Sequence, residues 1–132
     1  GRYKSCLVQP ERYLLEVSRY IELNPVRMEL AGKPNEYEWS SYQINAFGKP
    51  SALCRPHAEY LKLGESKEER IEKYRVMSER SSDDYLLKVI RDSINKGLAI
   101  GDESFKTEVE KMTGRRVRSL RSGRPLGWRK QK

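Results

Sequence analysis

A chain of 132 residues has room for one small domain, or one domain with a tail, and 36% hydrophobic against 35% charged residues describes a thinly cored, helix-rich protein. No apolar run approaches the ~20 residues a membrane span needs, and no secretory leader pattern stands at the start. Cys6 and Cys54 are too few and too far apart for a disulfide framework or a zinc site, so a reducing cytoplasm fits, with both as buried thiols.

Residues 2–8 alternate weakly and end in apolar side chains, which predicts one strand. A lone strand needs a partner for its edges. Pro10 suits a first helical turn, and Tyr13, Leu14, Leu15, Val17, Ser18 and Ile21 then follow helical spacing. Pro25 disfavours helical geometry at Asn24, so this helix is expected to end there. Val26 to Leu30 follow as a short helical turn. Residues 32–56, with Gly32, Pro34, Gly48, Pro50 and Pro56, read as loop. Within it, Trp39 and Tyr42 are large enough to fold the loop back on the first helix.

Three helical segments come next. Pro56 to Leu63 is short. Lys67 to Ser81 carries Ile71, Tyr74, Val76 and Met77 as a rough stripe. A helix capped by Asp83 or Asp84 then presents Tyr85, Leu86, Val89, Ile90 and Ile94, and ends at Lys96-Gly97. After the connector Leu98-Ala99-Ile100-Gly101, Asp102 caps a last helix through Phe105, Val109 and Met112, which stops at Gly114. Two helices around a short Gly-containing turn suit a helix-turn-helix, and a plain antiparallel pair equally.

Net charge is +8 and uneven. Residues 115–132 hold eight basic residues and no acidic one, while the other 114 residues hold nineteen of each sign. A neutral body with a basic arm is a polyanion-binding pattern, because backbone phosphates reward clustered positive charge. Arg121-Ser122-Gly123-Arg124-Pro125 approximates an AT-hook core, with Ser122 where arginine is usual; such a segment fits a narrow A·T-rich minor groove. Trp128, beside Arg129 and Lys130, either stacks on an unpaired base or anchors the arm to the body. The DNA-binding candidates are Arg115, Arg116, Arg118, Arg121, Arg124, Trp128, Arg129 and Lys130.

The most specific chemistry is in Tyr20-Ile21-Glu22-Leu23-Asn24-Pro25-Val26-Arg27. Residues i and i+4 share a helix face, so Tyr20 and Asn24 point the same way. A phenol can attack phosphorus and hold a covalent ester, and an amide oxygen can ligate a hard divalent cation. Together with Arg2-Tyr3-Lys4-Ser5, Tyr13-Leu14-Leu15, Arg19 and Trp39-Ser40-Ser41-Tyr42, this stretch resembles the C-terminal part of the REP-associated tyrosine transposases, in the single-tyrosine, His-hydrophobic-His class. Residues 97–130 also look like the tail of such proteins, in Gly97-Leu98-Ala99-Ile100-Gly101, Phe105, Gly114-Arg115-Arg116 and Gly123-Arg124-Pro125.

The resemblance implies that Tyr20 is the nucleophile that takes the 5′ phosphate of a cleaved strand. It makes Asn24 the third ligand of a divalent metal, Mg or Mn, beside two histidines. The metal would polarise the scissile phosphate, help that a phenol of ordinary pKa about 10 requires. The histidine pair precedes this segment in the family, and here the sole histidine is His57, downstream. On that resemblance the chain is expected to correspond to the C-terminal portion of such a protein, after the histidine motif. Alone it is expected to hold no cofactor and to bind DNA without cutting it, with Tyr20 packed on Trp39 or Tyr42. The implied partner is single-stranded, hairpin or A·T-rich duplex DNA, in the cytoplasm and on the nucleoid of a bacterium.

The expected architecture is mainly α, four to six helices with one N-terminal strand left from an α+β catalytic domain, plus the basic tail. The expected division is 1–47 as catalytic remnant, 48–114 as helical domain and 115–132 as DNA-binding arm. An exposed strand edge and an unpartnered helix face favour a homodimer. A stand-alone DNA-binding module and a helical interaction domain with an incidental tail are the alternative functions.

Overall fold

The structure, a computed structural model, describes residues 2–81, 83–120 and 123. It is mainly helical, as expected. Among the described residues there are α1 (Pro10–Glu22), α2 (Asn24–Arg27), α3 (Tyr42–Phe47), α4 (Ala58–Leu61), α5 (Lys67–Glu79), α6 (Asp84–Lys96) and α7 (Glu103–Thr113), with a 3-10 turn at Pro34–Glu36. Helices α2 and α4 are single turns of four residues. No helix is long and apolar enough to cross a membrane among the described residues.

The local signals act as the sequence predicts. Asp83 caps α6 by accepting the Tyr85 and Leu86 N–H groups, and Asp102 caps α7 through the Phe105 N–H. Gly97 and Gly114 take the left-handed conformation at the two helix ends.

Four expectations are corrected. First, no strand forms among the described residues. The N-terminal segment makes one parallel bridge, Val8 opposite Ile100, so its partner is the chain's own connector. Leu7 O accepts from Ile100 N and Ile100 O accepts from Gln9 N, both at 2.8 Å. Second, the stretch read as loop contains α3. This helix is too short for periodicity to reveal, and it ends at Gly48 in a left-handed conformation, φ 71°. A Cβ on Gly48 would stand 2.5 Å from Ile71 Cδ1, so the glycine also admits α5 at close range. Third, Tyr42 folds back onto the core alone; Trp39 is 82% exposed. On the helical stripes, Val76 and Tyr85 likewise face outward. Fourth, Cys54 is exposed, whereas Cys6 is half-buried and burial pushes its thiol pKa up.

Two apolar clusters result. The larger joins Tyr42, Ala46 and Tyr74, with Leu15, Tyr60, Leu63 and Met77 against them. It unites α1, α3, α4 and α5 and so crosses the position 47/48 boundary. The smaller joins Ala99, Val109 and Val117 with Phe105.

A carboxylate sits inside the larger cluster. Glu22, at the end of α1, is 1% exposed. Its Oε1 accepts from Ser41 Oγ at 2.6 Å and Asn45 Nδ2 at 2.8 Å, and its Oε2 accepts from the Tyr74 hydroxyl at 2.6 Å. Neighbouring Arg19, 7% exposed, donates to the Ser78 and Arg80 carbonyls and pairs with Glu16 at 3.5 Å. It thereby satisfies the C-terminal carbonyls of α5, where the helix dipole favours a cation.

Glu22→Ala should cost about 2–4 kcal/mol in urea unfolding, because it strands buried donors and leaves a cavity. Burial, then the Glu22 charge, raises the Tyr74 pKa above the ordinary phenol value. This stability is fully present below pH ~10 and is lost as pH rises further, because the unfolded phenol ionises and the folded one does not. The expected loss from Tyr74 is about 1.4 kcal/mol per pH unit. Tyr74→Phe should remove that part of the alkaline loss, leaving the part due to Tyr42 and Tyr60, whose pKa values burial also raises.

Candidate nucleic-acid interface

The Pro25 break is a kink. Leu23 keeps right-handed geometry, φ −86° and ψ −8°, and Asn24–Arg27 form a further turn as α2. Tyr20 and Asn24 thus stand one turn apart, Tyr20 half-buried and Asn24 exposed. Tyr20 does not take the expected place on Trp39 or Tyr42. Its ring lies under the Arg27 guanidinium, 4.4 Å from carbon to centroid, and its carbonyl accepts from Arg27. This is a cation–π pairing with the main chain as second anchor. Tyr20 and Arg27 line one wall of a crevice whose opposite wall is α6, with Leu86, Leu87 and Ile90.

The residues present do not furnish the histidine pair that the resemblance implies for a metal. His57 is exposed and caps α4, its Nδ1 accepting the Glu59 N–H at 3.1 Å. Among the described residues no group of three or more His, Cys, Asp or Glu side chains gathers. Asn24 has no such set around it, and no chemical step follows from a metal here.

The basic arm begins as a docked segment. Val117 is buried, its N–H donates to Glu110 Oε1 at 2.9 Å, and its carbonyl accepts from Ala99 N at 3.1 Å. Arg118 folds inward over α7. It bonds Glu103 at 3.0 Å, the Thr107 hydroxyl at 2.6 Å and also Glu110. These carboxylates hold its pKa above the ordinary guanidinium value, and Arg118 in turn lowers that of Glu103. Arg118 is therefore the anchor of the arm, with its charge spent on α7. Arg115 and Arg116 differ: both are exposed, and neither makes an ion pair among the described residues. Arg121, Arg124, Trp128, Arg129 and Lys130 lie outside the described residues.

Folding adds basic residues that the linear charge count missed. Arg115 and Arg116 rim a groove with Ser5, Cys6, Gly97 and Leu98. Lys4 reaches the same end of α6, where its Nζ donates to Asn95 Oδ1 at 2.9 Å beside exposed Lys96. Lys4 is remote in sequence and nothing local marks it.

The segment between α6 and α7, residues 97–102, is longer than the three- or four-residue turn usual in a helix-turn-helix. It is clamped by the N-terminal segment on one side and by Val117 on the other. The Gln9 side chain completes the clamp, accepting from Asp102 N at 2.9 Å and donating to Asp102 Oδ2 at 3.2 Å.

Comparison of the chain with protein-family models, curated proteins and solved structures finds no match.

If Arg118 anchors the arm, Arg118→Gln should speed amide exchange at Ala99 and Val117 while α5 amides stay protected. Hydrogen exchange followed by NMR checks this; unchanged rates at Ala99 and Val117 would show that the Val117 side chain alone docks the segment.

Proposed function

We propose that this chain is the DNA-binding C-terminal part of a transposase-like protein and holds DNA through its basic arm. The observation that carries the reading is the charge partition: eight basic residues and no acid in residues 115–132, against a body of zero net charge. Two features support it. Arg115 and Arg116 are exposed and without carboxylate partners among the described residues, and Arg118 fixes the point from which the arm leaves the body. A docked base lowers the entropy cost of bringing such an arm to a duplex or hairpin.

The transposase lineage rests on the motif around Tyr20 and Asn24. In the parent protein Tyr20 would attack the scissile phosphate, forming a phosphotyrosine ester and releasing a 3′ hydroxyl, with the metal ligands that this chain lacks supplied elsewhere. Binding is the function assigned to these 132 residues.

Fluorescence anisotropy with a labelled DNA hairpin tests the reading. Truncation after Leu120 removes Arg121, Arg124, Arg129, Lys130 and Lys132, and should lower the salt slope by about 3.5–4.5 at roughly 0.7–0.9 per lost phosphate contact. Arg115→Ala with Arg116→Ala should reduce it further. Unchanged affinity and slope after truncation would assign the arm a role other than DNA binding. Incubated with single-stranded DNA and Mg²⁺ or Mn²⁺, the chain should release no cleaved product.

A further inference from the structure

We propose that the groove between the Trp39 segment and the start of α5 is a docking site for a protein partner, whose occupying segment is acidic and carries two large apolar side chains. The inference uses neither the basic arm nor the Tyr20 motif, so it stands or falls apart from the DNA reading.

The shape of the groove is the first observation. It crosses α3 as two adjoining hollows of about 420 and 230 Å³, which share Ile44, Lys49, Pro50 and Cys54. Each is many times the space of one water, so each admits a whole side chain. Ile44 of α3 and Ile71 of α5 supply apolar surface, and Pro50 and Pro56 of the connecting loop bound it. The prolines restrict that loop, and the Ser51 hydroxyl pins it further by accepting the Leu53 and Cys54 N–H groups at 3.1 and 3.2 Å. A groove already formed in the free chain spares a partner the entropy cost of ordering it.

The second observation is a pair of exposed anchors. Trp39 is 82% and Leu53 95% exposed, and both line the wider hollow. Apolar residues exposed singly are ordinary. A tryptophan and a leucine on one hollow, the leucine on a pinned turn, form the kind of cluster that carries binding energy at protein interfaces.

Charge selects the occupant. Lys49, Arg55 and Lys67 line the narrower hollow, all three are exposed, and no acid lines it with them. None of the three makes an ion pair among the described residues. Lys67 is the first residue of α5, whose N-terminal dipole adds to the same positive end, and Glu69 in that turn is spent on Lys73 at 2.6 Å. The wider hollow has one acid, Glu38. The complement is a segment that is acidic toward α5 and apolar over Trp39 and Leu53. A nucleic-acid strand matches less well, because its phosphates recur at every nucleotide, whereas here the cations gather at one end and Glu38 stands at the other.

The test is a selection of displayed random peptides, about twelve residues long, on the immobilised full chain, with counter-selection on the double variant Trp39→Ser, Leu53→Ser. Both substitutions fall at exposed positions, and unchanged α5 amide protection checks that the variant is folded. Enriched peptides should combine two large apolar residues with Asp or Glu. A synthesised one should bind about tenfold or more weakly to either single variant, and more weakly to Arg55→Glu and at higher salt. Truncation after Leu120 should leave its affinity unchanged. If no peptide distinguishes the wild type from the double variant, or if the enriched ones are basic or uncharged, the proposal fails. Loss of hairpin-DNA affinity in Arg55→Glu without any peptide binding assigns the groove to nucleic acid and overturns it. Self-association of the chain in sedimentation that Trp39→Ser abolishes assigns the groove to a second copy and overturns it likewise.

Discussion

A single buried carboxylate holds the larger core together. Glu22 is almost wholly removed from water, and a charge in that position is costly unless every lone pair is engaged. Three donors meet it, from the loop before α3, from α3 itself and from α5. The end of α1, the short α3 and the middle of α5 must therefore arrive in one arrangement, since any other leaves either the carboxylate or its donors unpaired. Tyr60 extends the same constraint to α4: its hydroxyl donates to the Asn45 carbonyl at 2.7 Å and its ring meets Tyr74 edge to face. A thin apolar core of this size gains specificity from such a network, because displaced alternatives lose hydrogen bonds as well as contacts.

Arg19 and Glu22 lie on successive parts of one helix and act in opposite senses. Arg19 tethers α1 to the C-terminal carbonyls of α5, and Glu22 tethers it to the middle of α5. With both ends of the contact fixed, α1 cannot slide along α5. This matters for the residues beyond. Tyr20 lies between Arg19 and Glu22 in sequence, so its presentation toward α6 and Arg27 follows from the two flanking polar anchors. A candidate nucleophile or ligand-facing ring needs that kind of support, since placement errors of an ångström are enough to defeat chemistry.

At the other end, the connector between α6 and α7 is clamped from both sides, by residues 7–9 and by Val117. Gly101 is needed inside this clamp: a Cβ there would stand 2.2 Å from the Phe105 ring. The clamp brings the N-terminal segment, the end of α6 and the base of the basic arm to one place. Lys4, Lys96, Arg115 and Arg116 consequently share one end of the molecule, although they come from three separated stretches of chain. Charges within about a Debye length add to one another's field, so this end of the molecule carries a concentrated positive potential.

Much of this was legible locally. The helix starts at Asp83 and Asp102, the stops at Gly97 and Gly114, the long helical stripes and the neutral body with its basic arm all depend on neighbours within a few residues. The Tyr20–Asn24 spacing was legible in the same way. Short α3 was not, since six residues show no period and its boundaries depend on Ser41, Gly48 and the approach of α5. Glu22 gave no sign of burial: a glutamate in a helix reads as solvent-facing until Ser41, Asn45 and Tyr74 are brought around it. The roles of Arg27 and Arg118 were equally hidden, because a charge count records each as one positive unit. Only the tertiary structure separates Arg118, neutralised by Glu103 and Glu110, from Arg27, half-buried without a carboxylate. The sequence by itself determined the helices, their caps and the sign of the surface, since these are set within one or two turns of chain. Which charges are buried, which are paired and which stay available was decided by contacts tens of residues apart, where folding chooses the partners.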